Sequence, residues 1–490
     1  MSGGPVVHRT LIPGLLFVDL PVHGDARGWF KENWQRAKMV PAGLPDVDFV
    51  QHNISFNDDV GTTRGIHAEP WDKYVSVTQG RVFGTWVDLR EGPGFGAVVT
   101  REFGPDQAVF VPRGVGNGFQ TLAPGTGYTY LVTQHWSPAA QADYVYVNAA
   151  DPELGITWPT PLDRATRSAK DLEHPPLRDV SPVPAPPLVI LGAGGQLGRA
   201  LTSRCTERGI PFLAFGHREW DLSSPSTWPL DTVSPSLRGV RAVVNAAAHT
   251  DVDSAETPEG RRHAWEVNAT GVAALTAACR EADVPLLHVS TDYVFDGEAP
   301  APDTGTSLRT ADGVRAIGYP VDHPVAPLSV YGQSKAAGEA AVRAWHKTWI
   351  LRTSWVIGEG RNFVDTMRDL ARRGVNPRVV DDQTGRLTFA GDLADVVLQI
   401  VTRQVPYGTF HVTNGGPVVS WAEVARWVFE IDGHDPGRVQ AVSTAEFFGE
   451  RPHAPRPARS ALDTSALTAA GIHLPDAREQ LVNHLGREPR

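Results

Sequence analysis

The chain has 490 residues, room for two or three domains at roughly 150 residues each. Lys and Arg number 45 against 55 Asp and Glu, a formal charge of −10, so no basic excess exists to hold a phosphate backbone or an anionic membrane surface. Only Cys205 and Cys279 are present and no run reaches the ~18 apolar residues of a membrane span, which excludes a disulfide scaffold and a helical membrane protein and points to reduced thiols in the cytoplasm.

The opening MSGGPVVHRT lacks the apolar run of a signal peptide. Up to residue 174 the chain reads as short strands. Tyr74–Arg90 alternates apolar and polar residues around a glycine, Asp106–Leu122 is a strand, a Pro-x-Gly turn and a strand, and Thr126–Trp136 alternates again. Many short strands with Gly and Pro turns predict an all-β sandwich or barrel. Between Asn53 and Lys73, the residues Arg64, His67 and Lys73 gather before a predicted strand. They offer a base, an enolate-stabilising cation and a phosphate clamp, although a single His in such a run is more often structural. A zinc or iron site needs two or three converging His or carboxylate ligands. The later strand pair has Asn117 in VGNGF and no histidine, so no metal is expected.

Pro175–Pro187, PPLRDVSPVPAPP, carries prolines at 175, 176, 182, 184, 186 and 187. Each removes a donor and fixes φ, which predicts a semi-rigid extended linker, 175–187, between domains 1–174 and 188–490.

Beyond it, apolar strands (LVIL, AVVNAAA, LLHVST, TWILRTSW) alternate with Ala-rich helices, the pattern of a Rossmann-type doubly wound parallel sheet. Gly192-x-x-Gly195-x-x-Gly198 follows the first strand and opens a helix, a turn that lets backbone approach a pyrophosphate. After the second strand, FGHREWDL has His217 and Arg218 and no acidic residue at once, which favours a 2′-phosphate and hence NADPH. Ser290 and Thr291 end a later strand, and Tyr331-x-x-x-Lys335 places two side chains on one helical face. The ammonium is expected to lower the phenol pKa, so that Tyr331 exchanges a proton near neutral pH.

Two resemblances extend this reading. HGDARGWFKE, VQHNIS, RGIH, DKYVSVTQGRVFGTWVDLR, VFVPRGVGNGF, YTYLVT, DPELGITWP and RSAKD make residues 8–175 similar to the cupin-fold dTDP-sugar 3,5-epimerases. That resemblance implies a jelly-roll barrel with His67 as general base, Asp171 as its orienting partner, Tyr130 as the opposing acid and Lys73 as the cation near the ketone oxygen. It also implies substrate contacts from Arg27, Gln51, Asn53 and Arg64. The chain departs from the family pattern at Asn117, where a His is usual, at Glu69, where a Gln is usual, and at His135 and Trp136.

GAGGQLGRAL, VVNAAAHTDVDSAE, STDYVFDG, YGQSKAAGE, LRTSWV, NFV, DDQTG and RPARSALDT make residues 188–490 resemble the extended short-chain dehydrogenase/reductases, and among them the dTDP-4-dehydrorhamnose reductases. The resemblance implies a small substrate-binding subdomain and a catalytic set of Thr291, Tyr331 and Lys335. It places Gly192, Gly195, Gln196, Leu197, Gly198, Arg218, Asp221, Ala246 and Ala247, with Tyr331 and Lys335, around NADPH, NADH also being accepted. Trp355, Asn362 and Gln383 fall along the sugar-nucleotide pocket. Glu298–Gly318 looks like an insertion, and Leu387 stands where Pro is common.

Together these imply a bifunctional enzyme that inverts C3 and C5 of dTDP-4-dehydro-6-deoxy-D-glucose and then reduces the C4 ketone, working as a homodimer on a small-molecule dTDP-sugar. Four alternatives stay open: a non-catalytic first half, inversion at one centre, a different 6-deoxyhexose product, or a redox-sensing regulator that binds cofactor without turnover.

Overall fold

Alternating side chains send the strands of the two large sheets of the first half into apolar clusters on both faces. The computed structural model describes residues 4–228, 237, 239–299, 318–403 and 405–486. Its strands are β1 (Val6–Arg9), β2 (Leu16–Asp19), β3 (Val22–Asp25), β4 (Gly28–Lys31), β5 (Gln51–Asn57), β6 (Thr63–Ala68), β7 (Lys73–Gln79), β8 (Val82–Asp88), β9 (Val98–Phe103), β10 (Gln107–Val111), β11 (Val115–Thr121), β12 (Thr126–Val132) and β13 (Val145–Tyr146). One antiparallel sheet runs β1-β2-β10-β7-β12-β5 and a second β13-β6-β11-β8-β9. Phe17, Val75, Val77 and Val109 from the first sheet meet Trp86, Val115 and Phe119 from the second in a shared core. Leu16, Val18 and Phe110 point the other way and pack under Met39 and Leu44. β7 and β8 adjoin in sequence yet lie in different sheets, so the alternating run Tyr74–Arg90 crosses from one wall to the other.

The Pro-rich stretch is less free than its prolines predict. Pro175 accepts a hydrogen bond from Asn148 N, Leu177 N donates to the Asp151 carboxylate, and Val183 bridges to Arg90. Leu177–Asp179 forms a 3-10 turn, and Leu177, Val180 and Val183 pack with Ile66 and Trp158. Proline takes away donors but leaves carbonyls and apolar neighbours able to pack. The chain divides into compact units at Met1–Ala185 and Pro186–Arg490.

The second unit is a parallel sheet of β14 (Leu188–Leu191), β15 (Phe212–Phe215), β16 (Ala242–Asn245), β17 (Leu286–Thr291), β18 (Thr348–Thr353) and a closing strand Gly408–His411, ordered β15-β14-β16-β17-β18-closing strand. Both faces are covered, as a parallel sheet requires. Leu188 and Ile190 pack against Leu197, Leu201, Leu393 and Val397, while Val189 and Leu191 share a cluster with Val272, Leu275 and Cys279. Cys205 and Cys279 are buried free thiols. The order of the sheet reverses beside β14 and β16, where ligands of doubly wound folds enter.

A separate cluster built on helices Phe363–Arg372, Trp421–Ile431 and Ala477–Leu485 encloses Leu387 completely. Of the insertion Glu298–Gly318, residues 300–317 lie outside the described residues. Among the described residues, no helix is long and apolar enough to cross a membrane.

Candidate active sites

His67 on β6 and Tyr130 on β12 enter one cavity of about 830 Å³ from opposite sheets, with Arg64, Lys73 and Asp171 also on its wall. Ser168 caps the short helix Ala169–Leu172 by accepting from Asp171 N. That turn sets Asp171 Oδ1 3.0 Å from His67 Nε2, across 104 residues of sequence. Burial raises the Asp171 pKa, but bonds from His67 and Ser168 and the His67 charge outweigh it, and the group titrates below its ordinary range. An ionised partner fixes the imidazole proton on Nε2 and leaves the Nδ1 lone pair as the base.

Lys73 is buried at the start of β7, in a 2.7 Å ion pair with Glu69 and 5.5 Å from the centre of the Tyr130 ring. Burial, and then the Glu69 charge, push Tyr130 up to about 12, with Arg64 pulling the other way. The phenol is therefore a neutral donor at working pH. Glu69→Gln removes one of the upward pushes, so an alkaline limb of activity due to Tyr130 should move to lower pH in that variant. A pH–rate profile of ring-proton exchange checks this, an unmoved limb removing Tyr130 as its source.

Asn117 pairs in register with His67 and accepts from Tyr128 OH at 3.1 Å, Tyr128 being stacked on Phe119 at 3.9 Å. The departure from His thus keeps a neutral acceptor for a buried phenol. Arg64 Nε donates to Asn57 at 2.9 Å. Gln51 and Asn53, bonded to each other at 2.9 Å, share the face of β5 that carries the wall residue Ser55 but do not line the cavity. Arg27 is not brought there: it stands on the β3–β4 hairpin, 90% exposed and paired with Asp25. His135 and Trp136 are exposed and also absent from the wall.

Several wall residues escape a reading of the sequence, Tyr144, Tyr146 and His174 among them. His174 stacks on Tyr146 at 4.8 Å, meets the His67 ring edge-on at 5.2 Å and brings Nε2 to 3.8 Å from Asp171 Oδ1. Its spacing of three from Asp171 is the signal, hidden because His174 reads as the approach to the Pro-rich stretch. The missing histidine on β11 had argued against three converging ligands; His67, Asp171 and His174 supply them, each with a donor atom within 4.8 Å of the others.

In the second unit, Gly192 has φ +78° and a Cβ there would lie 2.6 Å from Ala247 N. A Cβ on Gly198 would lie 2.2 Å from Gly192 O. Only glycine allows this turn and the close seating of the helix Gln196–Glu207, whose N-cap is Gly195. Leu197 is committed to the core and Gln196 donates to Arg361 O at 3.4 Å. The Gly192 cradle against Ala246 and Ala247 fits a dinucleotide pyrophosphate. Arg218 is exposed beyond β15, Glu219 folds back to accept from Gly216 N at 2.9 Å, and Asp221 caps Ser223 N at 2.8 Å.

Ser329 caps the helix Val330–Val342, which buries Tyr331 and Lys335 beside the end of β17. Lys335 Nζ donates to Val289 O at 2.7 Å and lies 3.3 Å from His288 Nε2, while His288 Nδ1 is 3.0 Å from Asn245 Nδ2. Burial, then the Lys335 charge, hold His288 well below its ordinary range, and burial brings Lys335 down to about 8. The tyrosine does not follow expectation. Burial pushes Tyr331 up to about 12, offset only in part by a hydrogen bond with Thr291. The ammonium is turned to Val289 and His288, so desolvation decides the sign. Thr291 Oγ1 donates to Asp292 Oδ1 at 3.0 Å.

Trp355, in left-handed backbone at φ 46°, stacks on Trp421 at 3.8 Å. Asn362 spends its side chain as a helix cap, accepting from Asp365 N and donating to Gly358 O. Gln383 is buried and donates to Thr444 Oγ1 at 2.9 Å.

Comparison with known proteins follows this division. A family profile described as RmlD substrate binding domain matches residues 187–488, and one described as dTDP-4-dehydrorhamnose 3,5-epimerase matches residues 9–179. A protein named RmlC homolog from Streptococcus pyogenes is 51% identical over 35% of this chain and 89% of its own length. A dTDP-4-dehydrorhamnose reductase from Mycobacterium tuberculosis is 42% identical over 58% of this chain and 87% of its own length. The crystal structure of a dTDP-4-dehydrorhamnose reductase from Bacillus anthracis in complex with NADP superposes with a TM-score of 0.53 at 32% identity, over 61% of this chain and 98% of that one. The chain therefore belongs to two families at once, the dTDP-4-dehydrorhamnose 3,5-epimerases through its first unit and the dTDP-4-dehydrorhamnose reductases through its second.

Proposed function

We propose that the chain carries out two consecutive steps of dTDP-L-rhamnose formation, epimerising dTDP-4-dehydro-6-deoxy-D-glucose at C3 and C5 and then reducing the C4 ketone with NADPH. The observation that carries the reading is that a base and an acid meet in one cavity from opposite sheets, His67 with Asp171 on one wall and Tyr130 on the other. Hydrogens at C3 and C5 are both α to the ketone. His67 Nδ1 removes one, Lys73 has donors left for the enolate oxygen after Glu69 takes its share, and Tyr130 returns a proton from the far side, which inverts the carbon. Arg64 serves the diphosphate. Arg27, Gln51 and Asn53 are assigned to substrate on the family resemblance alone; none lines the cavity.

In the second unit the Gly192–Gly198 turn, Ala246, Ala247, Arg218 and Asp221 hold the dinucleotide, and the hydride for C4 comes from it when bound. Tyr331, kept protonated by burial, donates to the C4 oxygen; Thr291 holds that phenol, and Lys335 supplies positive charge beside it. Trp355, Asn362 and Gln383 are proposed to shape the sugar-nucleotide pocket, Asn362 and Gln383 through the loops they fasten. If Arg218 meets a 2′-phosphate, Arg218→Ala should raise KM for NADPH by about tenfold and leave that for NADH nearly unchanged. Steady-state kinetics with both cofactors decide this, equal changes showing a different role.

The division of labour is 1–174 and 188–490 about the Pro-rich 175–187. Two buried free thiols suit a reducing cytoplasm. Homodimer formation is supported by exposed Trp29, Phe30, Ile54 and Phe56 on the hairpin and edge strand of the first unit. NMR of the product formed with NADPH tests the function: dTDP-L-rhamnose is expected, and the C4 epimer or an uninverted sugar would reject it.

A further inference from the structure

His174 has no part in the chemistry just described, yet it is placed with care. Its side chain is 9% exposed, clamped between the face of Tyr146 and the edge of His67, and among the described residues Nδ1 has no hydrogen-bond partner. Its Nε2 is 3.8 Å from the same Asp171 oxygen that His67 Nε2 meets at 3.0 Å. Zinc bonds N and O ligands at about 2.0–2.2 Å, which sets tetrahedral ligands roughly 3.4 Å apart. The two separations from Asp171 bracket that value, and all three donor atoms lie within 4.8 Å of one another, so side-chain rotations that draw the two imidazoles together complete three legs of a tetrahedron. His67, Asp171 and His174 all line the cavity, from which a cation and its water reach them.

We propose that a borderline-soft divalent cation of the zinc type binds reversibly between His67, Asp171 and His174 and silences proton removal in the first unit. The inference rests on His67 being the base. In the active form Nε2–H points to Asp171 and Nδ1 holds the lone pair. When the cation bonds Nε2, the Nε2–H bond breaks and that proton passes through water to Nδ1. The neutral ring keeps one proton in total, but no lone pair remains to take a substrate proton. Neither Tyr130 nor Lys73 changes partner, and the reductase site in the other unit has no share in the effect.

The test uses the full chain, as wild type and as His174→Phe, which keeps a ring against Tyr146 and loses the ligand. Deuterium wash-in to dTDP-4-dehydro-6-deoxyglucose is followed in deuterated water with rising ZnCl2 and then with EDTA. Wild type should lose exchange and recover it with EDTA. His174→Phe should exchange without zinc and need at least ~10-fold more zinc for the same loss. Chelation of zinc by the substrate diphosphate affects both proteins alike and cancels. Co2+ titration gives a readout independent of activity: a visible d–d absorption of a four- or five-coordinate site should form in wild type and be lost in the variant. If His174→Phe does not fold, His174→Gln replaces it in both measurements. Equal zinc sensitivity in wild type and variant, no inhibition of wild type, or equal Co2+ spectra would overturn the proposal. Wild type that never exchanges without metal would instead sink the epimerase reading, with the Co2+ spectra still judging the site.

Discussion

Tyr331→Phe should lower NADPH oxidation by about 10²–10⁴-fold, the range for loss of a positioned proton donor. That is roughly 3–5 kcal/mol of transition-state stabilisation. The phenol is buried, and its ring packs edge-on against Tyr293 at 5.5 Å, a contact that Phe preserves. Cofactor affinity should therefore change little, since the Gly192 cradle and the Lys335–Val289 bond do not depend on the hydroxyl. Stopped-flow oxidation of NADPH with a separate binding titration distinguishes the two effects. Retention of turnover within a few-fold would remove Tyr331 from the proton-transfer step.

An equally large loss is expected on the other unit. His67→Ala should reduce deuterium wash-in at the sugar ring by about 10²–10⁴-fold, because no second lone pair takes over the role. His174 does not substitute: burial depresses its pKa, and its ring is stacked on Tyr146 with Nε2 3.8 Å from Asp171 Oδ1. Removing His67 also strips Asp171 of the bond that holds it ionised, so the variant carboxyl should titrate higher than in wild type. Mass spectrometry of recovered sugar measures the exchange. Exchange at the wild-type rate would show that another group is the base.

How much of this could be read from residues alone depended on distance along the chain. The glycine turn and Tyr331–Lys335 are local: spacings of three and four place backbone and side chains on one helix end or face, and the strands and helices around them follow from alternation. The His67–Asp171 bond spans 104 residues, so no spacing rule reveals it, and only resemblance to a family pointed to Asp171. His174 was lost for a different reason. It directly follows Glu173, the C-cap of the short helix that Ser168 opens, but its neighbours Pro175 and Pro176 mark it as the start of a break. The sign of the Tyr331 shift failed because composition shows the charge at position 335 and not the burial of the phenol, nor the carbonyl of Val289 that claims the ammonium. Resemblance also places Arg27 in a site that the cavity of this unit does not extend to.

The central claim is that two independent acid–base sites on one chain act in sequence, and mixing single-site variants tests it most directly. His67→Ala and Tyr331→Phe chains are each given dTDP-4-dehydro-6-deoxyglucose and NADPH, alone and in equal mixture, and the product is identified by NMR. The account predicts that neither variant alone forms dTDP-L-rhamnose and that the mixture does, the epimerised ketone passing from one chain to the other. Formation of dTDP-L-rhamnose by either variant alone would contradict it, as would a mixture that stays inactive while each unaltered site still performs its own step.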